Sequence, residues 1–108
     1  MFDDSFAAQL SKWNKNNSLK ALGFNRGVER ETLRVTKNGS LSKLPHPLGL
    51  GSPLTNSYIT TDFAESLIEL VTPKFSSVDS LYSCLVDLHV FTAHNIDKNE
   101  CLWAYSMP

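Results

Sequence analysis

Glu29-Arg30-Glu31-Thr32-Leu33-Arg34-Val35-Thr36 is the stretch around which the rest of the chain has to be arranged. With Val28, Thr32, Leu33, Val35 and Thr36 as strand formers, residues 24–36 read as one extended segment. Alternate side chains of a strand leave opposite faces, so Glu29 and Glu31 leave the same face about 6–7 Å apart. At an effective dielectric near 20, two carboxylates at that separation repel by roughly 2–3 kcal/mol. A solvated face tolerates that repulsion; a sequestered one calls for a cation or a raised pKa. Oxygen ligands on a rigid strand suit Mg²⁺, which binds a few carboxylates and keeps places for water and phosphate. Arg26, Arg30 and Arg34 fall on the other face, either as bidentate anion contacts or as surface charges that balance neighbouring acids.

Outward from this strand, Lys37-Asn38-Gly39-Ser40 carries the Asn-Gly pair of a tight turn. Residues 37–57 hold three of the five glycines and three of the five prolines, a density that reads as a long ordered loop. Within it, Gly49-Leu50-Gly51-Ser52 lacks the lysine and flanking elements of a phosphate-binding loop and reads as a turn. From Ile59 to Thr72 helix and strand compete. Asp62, Glu65 and Glu69 share a helical face, whereas Glu65, Leu67, Glu69 and Val71 share a strand face. Ile68-Glu69-Leu70-Val71-Thr72 favours a strand, placed at about 65–72, and Pro73 stops it. Carboxylates in so apolar a segment either face solvent on a half-exposed sheet or serve a purpose.

Two helices frame these strands. Phe2, Phe6, Leu10 and Trp13 trace an amphipathic helix over about 3–22, ended by Gly23, with Asn14-Lys15-Asn16-Asn17-Ser18, poor in helix formers, as a point of interruption before Leu19–Leu22. Ser76-Ser77-Val78-Asp79 starts a second helix over 77 to about 95. Its apolar stripe, Val78, Leu81, Leu85, Leu88 and Phe91, is expected to pack on the sheet, with Asp79 and Asp87 off it. The tail from Cys101 to Pro108 is aromatic and apolar and shows no closing element.

Composition sets bounds. The chain has 108 residues, enough for one domain, and Lys+Arg 10 against Asp+Glu 11 gives a net charge of −1. That balance speaks against a nucleic-acid or anionic-membrane surface. No apolar run reaches the roughly 18–20 residues of a membrane span, and Met1-Phe2-Asp3-Asp4 lacks the features of a secretory signal. A cytoplasmic location follows as the expectation. Cys84 and Cys101 read as reduced bystanders. His46, His89 and His94 lack the spacing of a helical metal site.

Long strings of the sequence resemble bacterial glutamate–cysteine ligase, also called γ-glutamylcysteine synthetase. They are Gly27-Val28-Glu29-Arg30-Glu31-Thr32-Leu33-Arg34-Val35, then Ile59-Thr60-Thr61-Asp62-Phe63-Ala64-Glu65-Ser66-Leu67-Ile68-Glu69-Leu70-Val71-Thr72-Pro73, then Asp87-Leu88-His89 and the closing Trp103-Ala104-Tyr105-Ser106-Met107-Pro108. The resemblance implies an α+β fold with packed helices on an antiparallel sheet, part of a glutamine synthetase-like catalytic domain whose funnel is lined by acids. It implies ATP-dependent ligation of the glutamate side-chain carboxylate to cysteine through a γ-glutamyl phosphate, with Mg²⁺ or Mn²⁺ as cofactor and ATP as co-substrate. Carried over by motif position, Glu29, Glu31, Asp62 and Glu69 are the expected metal ligands, and Phe63 is expected to wall the site for the cysteine side chain.

Strands 27–36 and 65–72 should then pair, bringing Glu29, Glu31 and Glu69 to one face with Asp62 at its rim. The family pattern selects Glu69 over Glu65. Ala104-Tyr105 departs from the Pro-Leu usual before Ser-Met-Pro. Family enzymes are several times longer, so residues 1–108 read as an N-terminal piece that is inactive alone and needs the remainder of the ligase chain. Two other readings stand beside this one: a non-catalytic binding domain on the same scaffold, and a ligase with another amine substrate.

Overall fold

The computed structural model describes residues 4–17 and 23–105. Phe2, Asp3, residues 18–22 of the expected first helix and the closing Ser106-Met107-Pro108 lie outside them. The first helix, α1, spans Asp4–Lys15, with Asp4 in its first turn and Lys12 and Lys15 in its last, as the helix dipole favours. It ends inside the run Asn14–Ser18, and residues 18–22 of the expected segment before Gly23 lie outside the described residues. Asn17 adopts φ 54°, a left-handed conformation that asparagine tolerates, and its N–H donates to the Asn14 carbonyl at 3.2 Å. No residue of α1 is buried.

Four strands follow: β1 (Glu29–Thr36), β2 (Ile59–Thr61), β3 (Leu67–Val71) and β4 (Glu100–Leu102), in one sheet of order β2-β3-β1-β4. All three pairings are antiparallel. The regular ladder of β1 begins at Glu29 instead of Phe24; upstream, a lone bridge joins Arg26 to Phe75. β3 begins at Leu67, and Glu65 lies in the turn before it. β4 closes the edge beside β1 where the sequence shows no closing element. Asn38-Gly39 does turn the chain: Gly39 has φ 86°, its N–H donates to the Thr36 carbonyl, and Val35 bridges to Leu41.

The second helix, α2 (Val78–Asn95), is capped by Ser77, whose side chain accepts from the Ser80 N–H. It lies on one face of the sheet, where Leu85 and Leu88 pack against Leu50, Ile59, Ile68 and Leu70. The buried stripe is narrower and shifted relative to expectation: Leu81 and Thr92 are buried, whereas Val78 and Phe91 are 60% and 49% exposed. The reason is angular. At about 100° per residue, Thr92 falls in line with Leu81, Leu85 and Leu88, while Phe91 falls roughly 80–90° to one side. Asp79 and Asp87 are exposed, as expected. No helix among the described residues is long and apolar enough to cross a membrane.

The loop between β1 and β2 supplies core as well as connection. Its 3₁₀ turn, Leu48–Leu50, inserts Leu50 between sheet and helix, 2% exposed. Asn56 secures the far side: its side-chain amide donates to the Leu50 carbonyl, and its Oδ1 accepts from the Tyr58 and Ile59 N–H groups. Gly49 approaches α2 so closely that a Cβ there would lie 2.1 Å from Asn95 Oδ1. Asn95 is itself fixed by donating to the Phe91 carbonyl at 2.8 Å.

Arg34, expected as an anion contact or a surface charge, does contact a carboxylate, that of Glu100, but away from the surface. It is fully buried on the α2 face. Its Nη1 donates to Glu100 Oε1 at 2.9 Å, and its Nη2 donates to the carbonyls of Leu44 and Glu65 at 2.9 and 3.0 Å. Ser42 Oγ also donates to Glu100 Oε1, and Glu100 Oε2 accepts from the Asp97 N–H. Next to this group sits His46. Burial first, and then the Arg34 charge, hold its imidazole below the ordinary histidine pKa, against opposing pulls from the Gly51 backbone and Glu65.

Removing one member of this buried pair leaves an uncompensated charge. Arg34→Met is expected to lower stability by about 3–5 kcal/mol, and adding Glu100→Gln to recover part of that loss; urea unfolding of the single and double variants measures both. Gly49→Ala is expected to cost about 1–3 kcal/mol through overpacking against Asn95. A Gly49→Ala chain with an unchanged urea midpoint would show that α2 shifts freely at this contact.

Candidate metal-binding face

The two faces of the sheet have different chemistry because the strands keep a strict parity. Thr32, Arg34, Ile68, Leu70 and Ile59 point toward α2, and Glu29, Glu31, Leu33, Leu67, Glu69 and Thr60 toward the other side. Register fixes the acids relative to one another. Glu31 stands directly opposite Glu69 across the β1–β3 ladder, and Glu29 lies two residues along, opposite Val71. Cβ atoms of directly opposed residues lie about 4.5–5.5 Å apart. On its other flank Glu69 faces Thr60 of β2. Asp62 is two residues beyond Thr60 and keeps its parity, with its N–H donating to the Leu67 carbonyl at 3.2 Å.

Glu69 occupies an inner strand and is half-buried, whereas Glu29, Glu31 and Asp62 are exposed. Its carboxyl is held above the ordinary glutamate pKa. Loss of solvent is the largest cause, followed by the negative charges of Glu29, Asp62 and Glu31. Glu69 therefore feels the charges of the other three acids that the family pattern selects. Among the described residues no three of them converge on a single point as a closed cage would require. Paired carboxylates with free coordination positions suit Mg²⁺, which keeps several waters and completes its octahedron from phosphate oxygens. The donor set, all oxygen with no thiolate or imidazole, fits the same hard cation.

Beside the acids the same face turns apolar. Leu33 and Leu67 are register partners and, with Val35, form a second small core cluster flanked by Ala64 and Trp103. Trp103 is tied back to the sheet, since its N–H donates to the Leu33 carbonyl and its carbonyl accepts from Thr32 Oγ1. A cleft of about 420 Å³ opens there, bordered by Glu31, Leu33, Leu67, Ala104 and Tyr105. Tyr105 stacks edge-on against Trp103 at 5.6 Å between ring centres.

The other singled-out residues are dispersed. Phe63 projects from the turn between β2 and β3 and is 86% exposed, so no apolar wall surrounds it among the described residues. Glu65 does not join the acid face; its carboxylate turns toward the loop and accepts from the His46 N–H at 2.9 Å. The sequence offers no sign of that contact, because it joins two irregular segments. Cys84 and Cys101 are free thiols.

The sheet thus carries a helix on one face and paired carboxylates on the other. Comparisons with known proteins show the family to which this arrangement belongs. Residues 8–108 match the glutamate-cysteine ligase family. The glutamate–cysteine ligase of Buchnera aphidicola is 52% identical over 96 residues, or 89% of this chain and 18% of that protein. That of Aliivibrio fischeri is 50% identical over 104 residues, 95% of this chain and 19% of that protein. Among solved structures, the Francisella tularensis glutamate–cysteine ligase in complex with AMP matches with a TM-score of 0.77 at 48% identity, over 78% of this chain and 17% of that one. A bifunctional glutathione synthetase from Pasteurella multocida matches with a TM-score of 0.82 at 33% identity, over 89% and 13%. The chain belongs to the glutamate–cysteine ligase family, and it spans about a fifth of the length of the curated relatives it matches.

The raised Glu69 pKa has a definite linkage sign. The folded chain holds the Glu69 proton more tightly than the unfolded chain does. The protonated carboxyl therefore contributes stability below the ordinary glutamate pKa, and that contribution is lost as pH rises through the raised value. Glu69→Gln is expected to raise the urea midpoint at pH 7 relative to the parent and to lose that advantage near pH 4. Equal midpoints at both pH values would mean that the other acids do not act on Glu69.

Proposed function

We propose that the chain forms the N-terminal part of the catalytic domain of an ATP-dependent ligase that joins the side-chain carboxylate of L-glutamate to the amine of L-cysteine, the first step of glutathione synthesis. The reaction runs through a γ-glutamyl phosphate, and the protein works in the cytoplasm. The observation that carries this reading is the opposition of Glu31 and Glu69 across the β1–β3 ladder, with Glu29 and Asp62 close enough to lift the Glu69 pKa. It is supported by family membership over residues 8–108 and by the AMP in the related Francisella structure.

In this reading Glu29, Glu31, Asp62 and Glu69 hold Mg²⁺, with Mn²⁺ able to replace it. Bound there, the cation supplies charge neutralisation for phosphate oxygens, which is most of what phosphoryl transfer asks of a protein. The contribution of this chain is placement. Two paired strands fix the separation of three carboxylates, and the turn after β2 brings the fourth to their rim. A cation bound beside Glu69 would favour its ionised carboxylate and so lower the raised pKa. Phe63, on the same turn as Asp62, offers an apolar surface to the cysteine side chain. Most of the nucleotide and substrate contacts belong to the remainder of the ligase chain, because positioning two substrates together needs groups from both parts.

Mn²⁺ binding followed by relaxation of water protons tests the metal set. Glu31→Gln and Glu69→Gln are each expected to weaken it about tenfold or more, and Asp87→Asn on α2 to leave it unchanged. Equal affinity in all four chains would remove the metal reading. Incubated with ATP, glutamate, cysteine and Mg²⁺, the 108-residue chain is expected to release no phosphate in response to cysteine.

A further inference from the structure

The turn between β2 and β3 carries Asp62 and Phe63, yet nothing in its own sequence stiffens it. Asp62-Phe63-Ala64-Glu65-Ser66 contains neither glycine nor proline and is exposed at Asp62, Phe63 and Glu65. Local closure comes from the Leu67 N–H donating to the Ala64 carbonyl at 2.9 Å and the Asp62 N–H donating to the Leu67 carbonyl at 3.2 Å. The remaining grip is long-range and comes from two directions. From the sheet, the Arg34 N–H donates to the Ser66 carbonyl at 2.8 Å, and Arg34 Nη2 donates to the Glu65 carbonyl at 3.0 Å. From the loop, the His46 N–H donates to the Glu65 carboxylate at 2.9 Å. Arg34 Nη2 holds the same loop through the Leu44 carbonyl. Glu65 is thus the residue at which turn, loop and buried arginine meet: its carbonyl faces the arginine and its side chain faces the loop.

We propose that Glu65 is a positioning residue for the acid face: by accepting the His46 N–H it locks the Asp62–Ser66 turn to the loop above Arg34 and so fixes where the Asp62 carboxylate stands relative to Glu69. This rests on the metal reading of the acid face and adds to it a residue that binds no metal. The role needs an acceptor oxygen at Glu65 and does not need its charge. A metal ligand at the same position would need the charge. The two roles therefore separate by substitution, and because the side chain is exposed neither variant threatens the core.

The experiment compares the parent chain with Glu65→Ala and Glu65→Gln by amide NMR, with and without Mn²⁺. Without metal, Glu65→Ala is expected to increase hydrogen exchange at the His46 amide and to displace the resonances of Asp62 to Ser66, while Glu65→Gln restores both. With Mn²⁺, Glu65→Ala is expected to weaken binding roughly tenfold, with paramagnetic broadening lost at Asp62 before Glu29 and Glu31, and Glu65→Gln to bind as the parent does. If Glu65→Gln is as weak as Glu65→Ala in the Mn²⁺ experiment, the carboxylate acts by charge and the positioning role is overturned. Metal-free spectra of the turn unchanged in Glu65→Ala would also overturn it. A parent chain that binds no Mn²⁺ would defeat the metal reading instead, and the metal-free spectra would still decide the role of Glu65 in holding the turn.

Discussion

A fully buried arginine is the constraint on which the other parts of this fold depend. Guanidinium cannot lose its proton to escape burial, so every donor left without a partner costs free energy, and an unpaired charge costs several kcal/mol more. Arg34 meets that demand at Nη1 and Nη2, though not at its buried Nε, by drawing partners from three places far apart in sequence: Glu100 on β4, the Leu44 carbonyl in the loop, and the Glu65 carbonyl in the turn. None of these segments has much cohesion of its own. β4 is three residues long, the loop is dense in breakers, and the turn has no rigid residue. Arg34 compensates for all three deficits at once, and Glu100 is in turn completed by Ser42 and the Asp97 N–H. Such a network couples its parts: together they specify one arrangement, and loss of Glu100 would leave a buried charge unpaired.

Parity explains why this constraint could not be read from the chain while the acid pair could. Glu29 and Glu31 lie two apart in one strand, and a local rule puts them on one face whatever the tertiary fold. The same rule puts Arg34 on the opposite face but says nothing about whether that face meets solvent or a helix. Burial of Arg34 depends on Glu100, 66 residues away, and no local pattern reports a partner at that distance. β4 escaped for the same reason. Glu100-Cys101-Leu102 has little strand propensity, and it becomes a strand because β1 offers an open edge and Arg34 offers Glu100 a countercharge. The edges of the α2 stripe differ from the expectation for a smaller reason, helical drift.

Glu65 and Glu69 show where the family resemblance adds to periodicity. Strand alternation alone puts both on one face with Leu67 and Val71, and offers no ground for preferring either. The structure separates them by ending regular pairing at Leu67, so that Glu69 stands in the ladder opposite Glu31 while Glu65 belongs to the turn. The resemblance had already selected Glu69, because a motif records the outcome of tertiary packing that a single sequence does not display. It did not reveal what Glu65 does, since the contact with His46 links two irregular segments whose approach depends on Arg34 beneath them.

The same sheet keeps an ion-paired cation on one face and, on the other, acids that form no ion pair among the described residues, and this separation bears on what the acid face requires. Arg34 is neutralised by Glu100 on the α2 side. The charges that shift Glu69 are Glu29, Asp62 and Glu31, all negative, with no arginine or lysine among the causes. A surface acid normally relieves such crowding by swinging into water. Glu69 is held in an inner strand between β1 and β2, where movement is small and loss of solvent is already the largest part of its shift. The remaining ways to relieve it are a proton or a cation from outside the described residues. A proton does so only below the raised pKa, so as pH rises the need for a cation grows. Under the function proposed above, a divalent ion carrying phosphate oxygens would supply that countercharge.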